Sequence, residues 1–195
     1  MRIYKRIPLC FFSIGTLVVF FACTGSPSTR KADNPVFLTN SVMYTFLDPS
    51  CIATNIDEVQ RIYGAYGERE FSFLMYTIAD DNGITLLVLN EMGSEVARIT
   101  FTDGVVVTSD LVRRLGFPAE YIVADFQLAF YRLDCLVSAL SSKGISINED
   151  YSPRVRRFSE GNKEILRIDY YEKSLEFINS LRGYRYTIEW GATDE

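Results

Sequence analysis

Residues 69–89 read REFSFLMYTIADDNGITLLVL, and this stretch decides the fold. Two runs rich in β-branched and aromatic side chains lie on either side of the tetrapeptide Asp80-Asp81-Asn82-Gly83. Asn-Gly favours a tight hairpin turn because both residues tolerate the positive φ that such turns require. The stretch therefore predicts two antiparallel strands joined by a hairpin turn. The predicted strands are residues 69–79 and 84–91.

The same pattern extends along the chain in both directions. Short runs with strand propensity alternate with turn signals that contain Gly, Asp, Asn or Ser. In the last run, Tyr184, Tyr186 and Ile188 alternate with polar residues, so one face of the sheet is aromatic and the other is solvated. The sequence predicts about ten strands in two meanders. The remaining predicted strands are 59–66, 95–101 and 105–108 in the first meander and 145–148, 154–158, 163–171, 174–179 and 184–190 in the second.

The segment between the two meanders is helical. From Asp110 to Lys143 the period of the apolar residues changes from two to about 3.6. Pro118 suits the first turn of a helix, where its missing N–H costs no hydrogen bond, and Gly144 is a natural stop. The segment is apolar nearly all round, which indicates a buried helix, either one bent helix or two in succession. The sequence predicts a single α+β domain built on one large antiparallel sheet.

The first residues have a different composition from the rest of the chain. Three basic residues precede an apolar run at residues 9–21, and Ala22-Cys23 follows. This order is typical of an export signal, because a helix that spans a bilayer needs about 20 apolar residues. The exit site resembles a bacterial lipobox, whose cysteine is acylated and becomes the first mature residue. The alternatives are an ordinary secretory signal that is cut near Cys23 and an uncleaved anchor helix.

The sequence divides into a lipoprotein signal peptide at residues 1–22, a flexible tether at residues 23–35 and a single domain at residues 36–195. Cleavage removes 22 of the 195 residues and three of the 20 basic side chains, so that 173 residues with 17 basic and 25 acidic side chains remain, a formal charge of −8. An acidic surface argues against nucleic acid as a partner. We expect Cys51 and Cys135 either to form a disulfide or to stay as buried free cysteines.

Catalytic chemistry has little support in the sequence. The chain has no histidine, which excludes Ser-His-Asp and Cys-His arrangements and histidine-based zinc sites. Asp80-Asp81-Asn82-Gly83 lacks the further ligands of a calcium loop. We therefore expect no enzyme, no cofactor and no metal site. Asp125 stands out inside the apolar helix, and it could contact a ligand head group or Arg132, lie at the wet margin of the helix, or accept a structural hydrogen bond.

Three short stretches carry a family resemblance: residues 66–73, 123–129 and 181–186. Over approximately residues 56–190 they are similar to an uncharacterised bacterial lipoprotein family, whose members are often encoded beside aryl-polyene and fatty-acid-type synthesis genes. The order of signal, meander, helices and second meander also resembles the lipoprotein-localisation receptor (LolB-like) family of the outer membrane. This resemblance implies an open half-barrel, with the helices as a lid, that accepts acyl chains.

The candidate ligand-binding residues are the apolar side chains of a concave sheet surface and of the helix above it. Alternate residues of a strand share a face, so such a surface would accept acyl chains. The alternative is that the same side chains interdigitate into a filled core. The candidates are Phe71, Phe73, Met75, Leu166, Ile168, Tyr184 and Tyr186 on the strands and Phe126 and Phe130 on the helix.

Two functions follow as expectations. The first is a lipoprotein, lipid-anchored through Cys23 at the periplasmic face of the outer membrane, that binds or transfers acyl chains or another hydrophobic lipid. Its partners would be the lipid ligand and the membrane. The second is a non-catalytic envelope scaffold that pairs with another envelope protein through an exposed sheet edge.

Overall fold

The structure is a computed structural model, and it describes residues 29–114 and 118–191. Within these residues the chain forms thirteen strands and three α-helices. The first strands are β1 (Thr29–Ala32), β2 (Val36–Phe37), β3 (Met43–Tyr44), β4 (Ile56–Tyr66), β5 (Arg69–Asp80), β6 (Gly83–Leu89), β7 (Glu95–Thr102) and β8 (Val105–Ser109). The helices are α1 (Asp110–Arg114), α2 (Ala119–Phe130) and α3 (Leu133–Leu140). The last strands are β9 (Ile145–Tyr151), β10 (Arg154–Glu160), β11 (Lys163–Tyr170), β12 (Ser174–Asn179) and β13 (Tyr184–Trp190).

Eleven of these strands form one sheet in the order β1-β8-β7-β6-β5-β4-β13-β12-β11-β10-β9. All neighbours are antiparallel, and the two meanders meet where β4 pairs with β13, with Ile62 opposite Ile188. The sheet is open, because its outermost strands are β1 and β9. The predicted fold class, an α+β half-barrel with a large antiparallel sheet and helices inserted midway, is confirmed.

The hairpin turn between β5 and β6 forms as the sequence predicts. Oδ1 of Asp80 accepts hydrogen bonds from the backbone N–H of Asn82 at 2.8 Å and of Gly83 at 3.2 Å. An Asx turn of this kind uses the carboxylate to satisfy the turn backbone.

Helix α2 lies between the sheet and the N-terminal segment, residues 36–52. On one side, a carboxylate oxygen of Asp125 accepts a hydrogen bond from the Tyr184 hydroxyl of β13. The Gln127 side chain accepts from the Leu47 N–H and from the Tyr44 hydroxyl, both at 3.0 Å. Residues two apart in a helix differ by about 200° around its axis, so these contacts lie on opposite sides. The helix is therefore buried all round, as its composition predicts.

From Pro118 to Lys143 the chain forms two α-helices in succession rather than one bent helix, and the short helix α1 precedes them. Tyr131 and Arg132 are extended between α2 and α3. A 3₁₀ turn at Ser141–Lys143 follows α3, and Gly144 ends it with φ of +81°. Only glycine adopts this left-handed conformation without strain.

The loop between β3 and β4 is fastened to the start of α3. Cys51 and Cys135 form a disulfide across 84 residues of chain. The N–H of Arg132 donates to the Cys51 carbonyl at 2.8 Å, and the N–H of Ala53 donates to the Phe130 carbonyl at 3.0 Å. These contacts fix the covering segment to the helices.

Residues 29–32 lie within the segment that the sequence predicts as a flexible tether, residues 23–35. They form β1, which pairs along its whole length with β8, from Thr29 opposite Ser109 to Ala32 opposite Val106. The physical reason is the unpaired edge of β8, which offers backbone hydrogen bonds to any neighbouring extended segment. The composition of the segment gives no sign of this pairing.

Candidate functional site

The candidate ligand-binding residues that lie on strands share one face of the sheet. Helix α2 packs on this face, and we call it the concave face. Gly64 on β4 lies opposite Phe71 on β5 and opposite Tyr186 on β13. The same row continues through Phe177 to Ile168. The period of two then places the other strand candidates on this face as well. The sequence pattern thus predicted which of these strand residues share a face of the sheet.

A glycine permits close approach of the strands in the middle of this row. A Cβ atom on Gly64 would lie 2.4 Å from the carbonyl oxygen of Arg185 and 2.5 Å from the Cβ of Tyr186. No real Cβ tolerates such distances to backbone, so β13 can approach β4 here only because residue 64 is glycine.

The nine candidates differ in burial. Four are enclosed in the packed core and have 7% exposure or less: Met75, Phe126, Leu166 and Ile168. The other five are half-buried and pack against that core. We call these five the aromatic group: Phe71, Phe73, Phe130, Tyr184 and Tyr186.

The rings of the aromatic group lie close to one another and to the core. Phe71 and Phe73 stack with 6.1 Å between ring centroids, and Tyr184 and Tyr186 stack at 6.3 Å. Phe130 lies 4.7 Å from the buried ring of Phe126. The concave face is therefore filled under α2 and lined by partly exposed rings beside it.

Asp125 holds α2 to the strand that carries two of these rings. Its carboxylate accepts hydrogen bonds from the Tyr184 hydroxyl at 2.7 and 3.0 Å and from the Tyr186 hydroxyl at 3.5 Å. The Tyr184 oxygen also accepts from the side-chain amide of Asn179 at 3.1 Å. Of the roles considered for Asp125, the structure shows the structural hydrogen bond. Arg132 lies near Asp134 instead, at 3.5 Å.

Burial raises the pKa of Asp125 to about 7, although the hydrogen bonds from Tyr184 and Tyr186 and the charge of Arg182 act in the opposite direction. Burial also raises the pKa of both tyrosines well above the ordinary value, and the nearby Asp125 carboxylate adds to this. The carboxyl and the two hydroxyl groups form one acidic network between α2 and β13, in which the carboxyl is the first to titrate.

A small pocket lies beside this network, between α2 and strands β10 to β13. Its volume is about 10 Å³, close to the least that holds one water molecule. Two of the predicted ligand-binding residues, Leu166 and Tyr184, line it. Tyr121 and Arg182 line it as well, although the sequence analysis did not select them. The only sequence signal for Arg182 is its place in the similar stretch 181–186.

The remaining site predictions concern cysteines and the membrane. Cys23, the predicted lipidation site, lies outside the described residues. Cys51 and Cys135 are bonded to each other. Within residues 29–114 and 118–191, no helix is long and apolar enough to cross a bilayer.

Comparison with known proteins gives a family match. A family model described as a protein of unknown function, DUF3261, matches residues 57–190, more than two thirds of the chain. A search of curated proteins finds no match. The matched range runs from β4 to the last residue of β13, so it contains the concave face, α2 and the aromatic group. This family match confirms the expected similarity to an uncharacterised family over approximately residues 56–190. The chain belongs to the DUF3261 family.

Proposed function

We propose that this protein is a membrane-anchored envelope lipoprotein that binds an acyl chain or another hydrophobic lipid on the concave face. The observation that carries the proposal is the aromatic group. Four rings on one sheet face and one ring on the covering helix stay half-exposed, whereas a filled core would enclose them. Partly exposed apolar surface in a concave setting is a common feature of ligand sites.

Two further features support a lipid ligand. The sequence resembles the LolB-like half-barrels over its order of elements, and the open antiparallel sheet with helices inserted midway agrees with that family's shape. The Ala22-Cys23 site at the end of an export signal also suits a protein that works at a membrane. The periplasmic face of the outer membrane is the location that this resemblance favours.

A fatty-acid titration tests the proposal. The purified full chain should enhance the fluorescence of cis-parinaric acid, and the double variant Phe71→Ser/Phe73→Ser should reduce the affinity at least about tenfold, because two apolar contacts are lost. The matched control is Leu74→Ser/Tyr76→Ser, two half-buried residues of the same strand that face the other way. No binding by the unmodified protein, or equal losses in both double variants, would contradict the proposal.

The membrane anchor has its own test. Serine lacks the thiol that is acylated, so Cys23→Ser should move the protein from the detergent phase to the aqueous phase or leave it as an uncleaved precursor. A Cys23→Ser protein of mature mass that still enters the detergent phase would exclude lipidation at this residue.

An envelope scaffold is the second candidate, and the position of β9 favours it. β9 is an outermost strand of the sheet, and an exposed edge can pair with a strand of another protein. If the protein is a scaffold, a partner that co-purifies with it should slow hydrogen exchange of the β9 amides, Ile145–Tyr151. A complex in which these amides exchange at the rate of the free protein would exclude pairing through β9.

A further inference from the structure

The small pocket beside Asp125 is covered by a short segment of the chain, Val36–Leu38. Its first two residues are β2, which belongs to a separate two-stranded sheet with β3 rather than to the main sheet. The N–H of Leu38 donates to the Val42 carbonyl at 2.9 Å, so the segment is one arm of a small β-hairpin whose other arm is β3. We call Val36–Leu38 the flap.

Two side chains fasten the flap to the body of the protein. The N–H of Phe37 donates to the Tyr121 hydroxyl on α2 at 3.1 Å. Nη2 of Arg182, in the turn between β12 and β13, donates to the Phe37 carbonyl. The Arg182 guanidinium also lies 4.8 Å from the centre of the Tyr121 ring. Arg182 therefore touches both the flap and the residue that holds it.

The space under the flap has an apolar interior and a cationic mouth. Most of its lining is aliphatic or aromatic, and the exposed guanidinium of Arg182 stands at its edge. The Asp125 carboxyl lies within the lining and disfavours a second carboxylate at that end. Tyr184 belongs to both this pocket and the aromatic group, so the two apolar surfaces are continuous. The flap, Tyr121 and Arg182 form one part of the lining. The rest of the lining includes Ala124, Leu128, Phe158, Ile165 and Leu166.

We propose that the flap covers an acyl-chain pocket, and that Arg182 exchanges its hydrogen bond to the Phe37 carbonyl for one to the anionic head group of the ligand. The inference rests on the proposed function and names the ligand class, an acyl chain with an anionic head. With the flap closed the pocket has a volume of about 10 Å³, so a chain enters only when Val36–Leu38 moves away. A carboxylate is a stronger acceptor than a neutral carbonyl, so the ligand itself favours release of the flap.

Two probes that differ only at the head group test the role of Arg182 in the purified full chain. Cis-parinaric acid carries a carboxylate and its methyl ester does not. Arg182→Gln should weaken binding of the acid roughly tenfold relative to the ester, because a charge-assisted hydrogen bond is lost. The matched control is Arg185→Gln, three residues further along the chain and exposed. An unchanged acid-to-ester ratio in Arg182→Gln, or the same change in Arg185→Gln, would overturn the assignment.

Hydrogen exchange tests the flap without any substitution. The amides of Phe37 and Leu38 are bonded in the closed state, so saturation with cis-parinaric acid should make both exchange at least several-fold faster. Slower or unchanged exchange would overturn the opening of the flap. The same measurement stays decisive if Arg182→Gln fails to fold.

The results also separate this inference from the function on which it depends. If neither probe binds the unmodified protein, the proposed function fails and the flap has no ligand. If both probes bind and Phe71→Ser/Phe73→Ser abolishes binding, but the flap amides and the acid-to-ester ratio do not respond, the function stands and the inference about the flap is wrong.

Discussion

Arg156 on β10 and Glu149 on β9 form an ion pair that is almost entirely buried. Nε of Arg156 lies 2.6 Å from Oε2 of Glu149, and each side chain is 2% exposed. The same guanidinium donates from Nη1 to the carbonyl oxygens of Leu128 at 2.8 Å and Tyr131 at 3.0 Å. These carbonyls lie at the C-terminal end of α2, where a cation also interacts favourably with the helix dipole. Through these hydrogen bonds, the ion pair holds the C-terminal end of α2 against the sheet.

Replacing Arg156 by methionine should destabilise the domain by about 3 kcal/mol, because it leaves a buried carboxylate with one partner fewer and two buried carbonyls without their donor. The control is Arg157→Met, whose side chain is 32% exposed and pairs with Asp150 and Glu164. Surface pairs of this kind contribute under about 1 kcal/mol. Urea unfolding of the two variants measures the difference, and equal losses would mean that Arg156 does not anchor α2.

The buried carboxyl of Asp125 should make stability depend on pH. Burial raises the pKa of Asp125 to about 7 in the folded state, above its unfolded value of about 3.9. Its contribution is therefore fully present below about pH 4 and is lost as pH rises through 7. The loss amounts to at most about 4 kcal/mol for a shift of this size. Asp125→Asn removes this term, so the variant should gain stability relative to the unmodified protein between pH 5 and pH 8. A stability difference that stays constant over this range, measured by urea unfolding, would contradict the assignment.

Removing the disulfide should cost about 4 kcal/mol, because Cys51 and Cys135 close a loop with a sequence separation of 84 residues and the unfolded chain gains that freedom. The double variant Cys51→Ser/Cys135→Ser should melt at a lower temperature than the oxidised protein, and a reducing agent should not lower it further. Melting of the unmodified protein that does not respond to a reducing agent would show that the bond does not contribute.

The sheet could be predicted from the sequence because its signals are local. Alternation along β5 and β13 and the Asx residues of the turn at Asp80 depend on neighbours in the chain alone. The strand β1 could not be predicted in this way, because its pairing with β8 depends on a free edge that only the folded sheet creates. The same holds for the separate hairpin of β2 and β3.

Prediction of the candidate site from the sequence is limited in the same way, because local patterns do not show which residues meet in the folded chain. The period of two places Phe71 and Tyr186 on one face, but it does not tell which residues α2 covers, so Met75 and Phe71 looked equivalent in the sequence. Arg156 shares a face with Phe158 and would be taken for a solvated residue. Its burial depends on carbonyls of α2 that lie 25 and 28 residues away in the chain. Contacts of this kind follow from packing, which a local pattern does not encode.

The last prediction separates the filled part of the concave face from its partly exposed part. Met75 is 7% exposed and lies in the packed core, so Met75→Trp should overpack it and cost about 1 to 3 kcal/mol. Phe71 lies on the same face of β5 and is half-buried, so Phe71→Trp should cost under about 1 kcal/mol, since the larger ring can extend into solvent. Thermal melting of the two variants decides the matter. If Met75→Trp melts at the temperature of the unmodified protein and loses cis-parinaric acid binding, the room for the acyl chain extends under α2 as far as Met75, and the core described here is not filled.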